Sequence, residues 1–270
     1  MKRTTVAQPL KIQGTGLHRG GDIEVEISPA DTGICFIKDG TRIPARPDNI
    51  VDTRLNTTIG AGEVRISTIE HLLSALYGLG ITDCDIAVSG DEMPSMDGSA
   101  LPFVTHLQRC GIEELDEEVS PIVIDEALAV KAGDSWVEIT PGAFCVSYGI
   151  DFAQQAIGRQ HFTYCGSDYV GEIAPARTFG LLKDVEMMRS MGLGLGGGLH
   201  NAVIVDDAEI LNPEGLRFAD EFIRHKILDI LGDLWTLGAP VEGRVQAYKA
   251  SHALHIELAR KIHALYCGDR

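Results

Sequence analysis

The stretch Arg224-His225-Lys226-Ile227-Leu228-Asp229-Ile230-Leu231-Gly232-Asp233 decides how this chain is read. It lies in a segment, roughly 220–237, where Phe222, Ile223, Ile227, Ile230, Leu231 and Leu234 recur with the 3.6-residue period of a half-buried helix. Gly238 and Pro240 end that segment. His225 and Asp229 are four residues apart and share one helix face, and Asp233 extends the row by a turn. A nitrogen and an oxygen so placed can hold a metal ion, although a salt-bridged helix face has the same spacing. A catalytic zinc needs a third protein ligand and one open position.

The chain has 270 residues, 44% of them hydrophobic, enough for one large domain or two ordinary ones. Its 23 basic and 39 acidic residues give a net charge of −16. That balance disfavours a nucleic-acid partner, and an anionic ligand would need a local basic pocket. The start, Met1-Lys2-Arg3-Thr4-Thr5-Val6, has positive charge but no apolar run behind it, unlike a signal peptide. No stretch approaches the ~20 apolar residues of a transmembrane helix. The six cysteines form no Cys-x-x-Cys pair. They read as reduced, mostly buried thiols of a cytoplasmic protein, which disfavours a structural zinc finger.

Residues 5–12 alternate weakly, as a first strand would. Gly14-Thr15-Gly16-Leu17-His18-Arg19-Gly20-Gly21 follows as a glycine-rich turn, placing His18 in a loop at a possible site. In 22–28, Ile23, Val25 and Ile27 alternate with Asp22, Glu24 and Glu26 as in a half-buried strand. Ser67-Thr68-Ile69-Glu70-His71 opens a helix carrying Leu72, Leu73, Leu76 and Leu79. Ser67-x-x-Glu70 has the form of a capping box, which would give Glu70 a purely structural duty. Capping does not explain His71. At a helix N-terminus the dipole favours an ionised carboxylate and a neutral imidazole, the forms suited to a base and a metal ligand. A strand near 85–88, the loop Met96-Asp97-Gly98-Ser99 and a helix over 101–110 complete the first half.

The acidic run 113–118, ending at Ser120-Pro121, reads as the boundary between domains 1–118 and 121–270. Beyond it the pattern repeats. Val25-Glu26-Ile27-Ser28-Pro29 is echoed by Val137-Glu138-Ile139-Thr140-Pro141, and Leu76-Tyr77-Gly78-Leu79-Gly80 by Leu234-Trp235-Thr236-Leu237-Gly238. Counting back from Gly80 and Gly238, His71 falls opposite Asp229. Two copies of one α+β unit would thus each offer a ligand to a site between them.

In the second half, Met187, Met188, Met191, Leu193 and Leu195 are interspersed with Gly192, Gly194, Gly196, Gly197 and Gly198. Thioethers and glycines suit an adaptable apolar channel. A mobile loop or a phosphate cradle would look similar, but no Gly-Lys-Ser/Thr follows. His252, in Ala250-Ser251-His252-Ala253-Leu254-His255, sits where a strand gives way to the final helix. It can face a site there, or be an ordinary satisfied histidine.

Taken together, the motifs Gly16-Leu17-His18-Arg19-Gly20, Arg65-Ile66-Ser67-Thr68-Ile69-Glu70-His71-Leu72, Met96-Asp97-Gly98-Ser99-Ala100, Ala176-Arg177-Thr178-Phe179-Gly180, Gly215-Leu216-Arg217-Phe218, Arg224-His225-Lys226 and Ser251-His252-Ala253-Leu254 resemble the UDP-3-O-acyl-N-acetylglucosamine deacetylases of lipid A biosynthesis, over nearly the whole length. The resemblance implies an α+β fold of two similar domains, each a sheet with helices on one face, the helix layers packed together as a sheet-helix-helix-sheet sandwich. It implies zinc bound by His71, His225 and Asp229. It makes Glu70 the general base, His252 the general acid and Asp233 the acid's orienting partner, with Lys226 and Thr178 steadying the substrate carbonyl and oxyanion. Phe179, His18, Met191, Leu195 and Gly197 become substrate contacts, with Phe179 and the 187–198 segment part of an acyl-chain passage near 180–205.

On that resemblance the expected activity is zinc-dependent hydrolysis of the N-acetyl group of a UDP-acyl-amino-sugar, by a cytoplasmic monomer. The chain ends soon after its last helix, so no fused second enzyme is expected. Two histidines and a carboxylate also suit Fe(II). Two other classes remain open. A small-molecule kinase would bind ATP near 192–198 and not depend on His225. A zinc-stabilised binding protein would have a closed metal site and unfold on metal removal.

Overall fold

Alternation sets the strands. In the computed structural model, which describes residues 1–190 and 192–268 with the backbone alone at 186, 188 and 189, the strand Asp22–Ser28 buries Ile23, Val25 and Ile27 and leaves Asp22 exposed. The first half runs β1 (Lys2–Val6), β2 (Leu10–Thr15), β3 (Asp22–Ser28), β4 (Ile34–Lys38), β5 (Thr41–Pro44), β6 (Ile50–Asp52), β7 (Thr58–Ala61), β8 (Val64–Ile66), α1 (Glu70–Leu79), β9 (Cys84–Val88), α2 (Leu101–Cys110) and β10 (Ile112–Glu118). The second runs β11 (Ile122–Val123), β12 (Leu128–Ala132), β13 (Ser135–Thr140), β14 (Cys145–Asp151), β15 (Arg159–Tyr164), α3 (Tyr169–Glu172), β16 (Phe179–Leu181), α4 (Leu182–Ser190), β17 (Val203–Asp206), β18 (Glu209–Ile210), α5 (Glu221–Trp235), β19 (Val241–Glu242), β20 (Arg244–Tyr248) and α6 (His252–Ile262).

The two halves repeat one topology. One five-stranded sheet has the order β2-β3-β9-β4-β5 and the other β12-β13-β20-β14-β15. In each, the central strand runs antiparallel to one neighbour and parallel to the other: β9 with β3 and β4, β20 with β13 and β14. Each central strand is preceded by a buried helix, α1 or α5, and followed by another, α2 or α6. The motif echo at β3 and β13 therefore reflects equivalent strands.

Helices α5 and α6 pack on the second sheet, α2 on the first, and α1 lies directly against α5, giving a sheet-helix-helix-sheet sandwich. The close approach of α1 and α5 depends on Gly232, where a Cβ atom would fall on the carbonyl oxygen of Glu70 and crowd the amide of Ser74. Gly80 and Gly238, at φ 69° and 72°, take the left-handed conformation just beyond the two helices.

Two expectations, on the first strand and on the cysteines, are corrected. Residues 5–12 are not one strand, because Ala7-Gln8-Pro9 breaks them between β1 and β2. The acidic run 113–118 is the exposed strand β10, antiparallel to β1. Its charges are matched by the basic start of the chain, with Arg3 Nη1 2.5 Å from Glu117 and Lys2 Nζ 2.8 Å from the Asp116 carbonyl. Pairing among β1–β10 is confined to residues 2–118, and among β11–β20 to 122–248. Lastly, the cysteines are not all thiols. Cys145 and Cys165, opposed at one end of the β14–β15 ladder, form a disulfide, whereas Cys35, Cys84 and Cys110 remain thiols. Sequence spacing carried no sign of that pair, because strand register alone brings it together.

Candidate metal centre and active site

Glu70 and His71 are the first two residues of α1, whose N-cap is Ile69 with no side-chain cap bond. The capping box does not form. Thr68 turns the chain at φ 60°, and Ser67 Oγ donates instead to the Asp91 carbonyl at 3.2 Å. Freed from capping, the Glu70 carboxylate turns inward and accepts the Thr57 amide at 3.0 Å.

Across from it, His225, Asp229 and Asp233 line the buried face of α5. His225 Nε2 lies 3.3 Å and His71 Nε2 3.8 Å from Asp229 Oδ1. Donor atoms of His71, His225 and Asp229 all fall within 4.8 Å of one another, a span that one divalent cation bound to each at about 2.0–2.2 Å would bridge. The tautomer also fits. His225 Nδ1 is 3.1 Å from the Ala176 carbonyl, which requires the proton on Nδ1 and leaves the Nε2 lone pair facing Asp229. Burial, reinforced by His225, lowers the His71 pKa to about 3, so its ring is neutral and able to ligate. Burial likewise lowers His225. At Asp229 burial acts to raise the pKa, but the surrounding imidazoles and the Lys226 ammonium, 2.7 Å from Oδ2, hold it well below the usual carboxylate value.

Two titratable groups flank the triad. Burial raises Glu70 to about 8, with Asp233 and Asp229 adding to the shift and His252 opposing it. His252, the first residue of α6, points Nε2 to within 3.9 Å of both Glu70 and Asp229. Burial disfavours its charged form, but Asp233, 2.8 Å from Nδ1, outweighs that and raises its pKa to about 9. Asp233 Oδ1 accepts from Thr57 Oγ1 at 2.5 Å, and Oδ2 also faces His255 Nδ1 at 2.8 Å. Asp233, His252 and His255 are close enough to be counted as a second group of possible ligands. Both imidazoles, however, aim Nδ1 at one carboxylate oxygen at hydrogen-bond distance, which is how donors meet an acceptor.

Residues 3–264 match the family described as UDP-3-O-acyl N-acetylglycosamine deacetylase. The chain belongs to this family. Among named UDP-3-O-acyl-N-acetylglucosamine deacetylases, it is 46% identical to that of Campylobacter hominis over 269 residues, covering 97% of this chain and 92% of the relative. It is 46% identical to that of Acidithiobacillus ferrooxidans over 260 residues, covering 92% and 86%. It is 42% identical to that of Helicobacter pylori over 269 residues, covering 97% and 91%.

Beside the cluster of this deacetylase-family chain, Phe179 meets His225 edge-on at 6.3 Å and Phe222 at 4.9 Å, with Lys226 Nζ 5.8 Å from its ring centre. Thr178 is pinned by its backbone: its amide donates to Gly98 of the first half at 2.7 Å, and its carbonyl accepts from Val203 at 2.8 Å. Thr178 and Phe179 open a mainly apolar cavity of about 300 Å3, whose lining includes Leu181, Val185, Gly197, Leu199, Ile204 and Leu211.

The cavity falls within the segment expected to form the passage, with Gly194, Gly197, Gly198 and Leu199 in its lining. Aliphatic residues of β16, α4 and β17 line the cavity, while Met187 is 54% exposed. Leu195, 56% exposed, lines instead a polar cleft of about 860 Å3 together with Leu193, His18, Arg19, Arg54 and Arg65. Met191 and the side chain of Met188 lie outside the described residues.

His18 is buried and is not one of the grouped ligands. Its amide donates to the Glu92 carboxylate at 3.0 Å, and burial lowers its ring pKa. Its Nδ1 has no hydrogen-bond partner among the described residues.

Sequence reasoning missed Thr57, Tyr148 and His255. His255 follows His252 by one helical turn, and that spacing was available as a signal. Thr57 and Tyr148 had none.

Proposed function

We propose that this chain hydrolyses the N-acetyl group of UDP-3-O-acyl-N-acetylglucosamine, giving acetate and UDP-3-O-acyl-glucosamine, the committed step of lipid A biosynthesis. One observation carries the reading: a triad of two neutral imidazoles and a carboxylate, flanked by Glu70 and His252. Family membership supports the same reaction. We take the ligands to be His71, His225 and Asp229 and the metal to be zinc, with Fe(II) chemically compatible.

A bound divalent cation supplies polarisation of the acetyl carbonyl and lowers the pKa of water toward ~7. The chain's own groups do the rest. Glu70, held by the Thr57 amide, takes a proton from the attacking water. The Lys226 ammonium and Thr178 steady the charge that develops on the acetyl oxygen. Protonated His252 gives its Nε2 proton to the leaving amine as the C–N bond breaks, and Asp233 orients that ring through Nδ1. The cavity lined by Phe179 and Gly197 takes the acyl chain, and Leu195 meets the substrate from the cleft beside it. His18 contributes from the neighbouring cleft.

We further propose that the protein acts as a cytoplasmic monomer of two domains, 1–118 and 121–270. Strand pairing confined to each segment supports the division. Among the described residues no helix is long and apolar enough to cross a membrane. The test is acetate release from the UDP-sugar with and without a chelator. Turnover that survives complete metal removal would end the proposal.

A further inference from the structure

Of the buried titratable groups that the mechanism above leaves unused, His255 and Tyr148 lie behind its acid. His255 is 1% exposed and sits one turn along α6 from His252. Its Nδ1 is 2.8 Å from Asp233 Oδ2, the same oxygen that His252 Nδ1 contacts at 2.8 Å. On its other side, His255 Nε2 is 3.0 Å from the hydroxyl of Tyr148, a fully buried residue of β14. That hydroxyl is also 2.8 Å from the carbonyl of Ala250, two residues before His252.

The protons can be assigned by counting. An ionised carboxylate only accepts, so His255 must present Nδ1–H to Asp233. Burial acts against a charged His255 ring, and the Asp233 carboxylate acts for it. The Tyr148 hydroxyl gives its single proton to the Ala250 carbonyl, which can only accept, and so presents its oxygen to His255 Nε2. Asp233 is thus held from three directions: by Thr57 on Oδ1, and by His252 and His255 on Oδ2. Without His255, the second lone pair of Oδ2 would lie unsatisfied in a buried site, and the carboxylate could turn away from His252.

We propose that His255, seated between the Asp233 carboxylate and the Tyr148 hydroxyl, is a positioning residue of the deacetylation: it clamps Asp233 so that His252 keeps Nε2 aimed at the departing amine. This rests on the reading of His252 as the acid. The pair acts on the turnover step and not on substrate binding, because neither residue lines the cavity or the neighbouring cleft.

The experiment compares His255→Phe, His255→Asn and Tyr148→Phe in the metal-loaded full chain, with kcat, KM and metal content measured for each. His255→Phe removes the donor at similar bulk and should lower kcat about 10–100-fold, the usual cost of losing a residue that orients a functional group. KM and metal content should stay close to wild type. His255→Asn offers an amide N–H where Nδ1–H was and should recover most of the loss. Tyr148→Phe should lower kcat in the wild-type background but do nothing further beside His255→Asn, since Asn does not reach Tyr148. Low-field proton NMR should show imidazole N–H signals from both rings that face Asp233, and His255→Phe should remove one of them.

An unchanged kcat in His255→Phe overturns the clamp, as does a failure of His255→Asn to recover activity with metal content intact. If His255→Phe does not fold, the comparison of His255→Asn with His255→Asn/Tyr148→Phe decides, because an additive loss contradicts the seating of His255 by Tyr148. A wild-type protein that releases no acetate defeats the underlying reading, while the NMR signals on the same sample still report whether His255 holds Asp233.

Discussion

His71 and Asp229 occupy equivalent places in the two copies of the fold, each nine residues before the glycine that follows its helix, and their side chains meet at 3.8 Å. The proposed centre thus joins the halves, with His225 added from the second. His225→Ala should abolish stable metal binding and cost more activity than the roughly 10–100-fold typical of losing a residue that only supports a ligand. Far-ultraviolet circular dichroism should hardly change, because both cores pack without the cluster. Full metal occupancy in that variant, measured by elemental analysis, would remove His225 from the ligand set.

Glu70 has no capping duty to share its function with. Glu70→Gln keeps an oxygen for the Thr57 amide but loses the base, so kcat should fall roughly 10²–10⁴-fold with little change in melting temperature. Near-normal turnover would leave the carboxylate with a structural role alone.

The pH dependence follows from opposite requirements. Glu70 must be ionised, and its pKa is raised by burial to about 8. His252 must be protonated, and its pKa is raised to about 9, the Asp233 charge overcoming burial. Activity should rise with pH through the Glu70 value and fall above the His252 value, giving a bell-shaped kcat profile. A bound cation near Glu70 favours its ionised form and so moves the acidic limb to lower pH. Asp233→Asn removes the charge that holds His252 protonated, so the alkaline limb should move to lower pH. A limb that stays in place in this variant would separate it from His252.

Gly232 tests the link between helix packing and chemistry. Alanine there would press its methyl on the Glu70 carbonyl and drive α1 from α5. The expected cost is at least the ~1–3 kcal/mol of overpacking a core, together with weakened metal binding, since His71 moves with α1. A variant with normal melting temperature and normal metal affinity would show that the helices can separate without disturbing the cluster.

The apolar cavity makes acyl length a direct variable. Each buried methylene contributes about 0.8 kcal/mol, so kcat/KM should fall roughly tenfold for every two removed from the substrate. A bulky residue at Val185 or Leu199 should penalise long chains more than short ones. Equal kcat/KM for acylated and non-acylated sugars would exclude this cavity as the chain's seat.

Much of the site was legible because it lies on amphipathic helices. Periodicity located α5 and hence His225, Asp229 and Asp233, and the repeat placed His71 opposite Asp229. The capping box misled because Thr68 adopts φ 60° and Ser67 bonds to Asp91, tertiary demands that a local motif does not carry. The acidic run read as a boundary and not as a strand because its partner strand, with Lys2 and Arg3, lies at the far end of the sequence. Thr57 and Tyr148 reach Asp233 and His255 through sheet and loop placement, which leaves no periodic trace.

The order in which each sheet is completed has a consequence for hydrogen exchange. The central strands β9 and β20 enter only after the chain has passed through α1 and α5, and each carries a parallel pairing that needs such a crossover. The helices that bear the cluster are therefore held between sheet closure on one side and each other on the other. Functional groups commonly sit on segments that open readily, yet here the amides around His71 and Asp229 should exchange only through opening of the whole domain. Their protection should match that of β9 and β20, so that losing the chemistry and losing the fold are the same event on the exchange timescale.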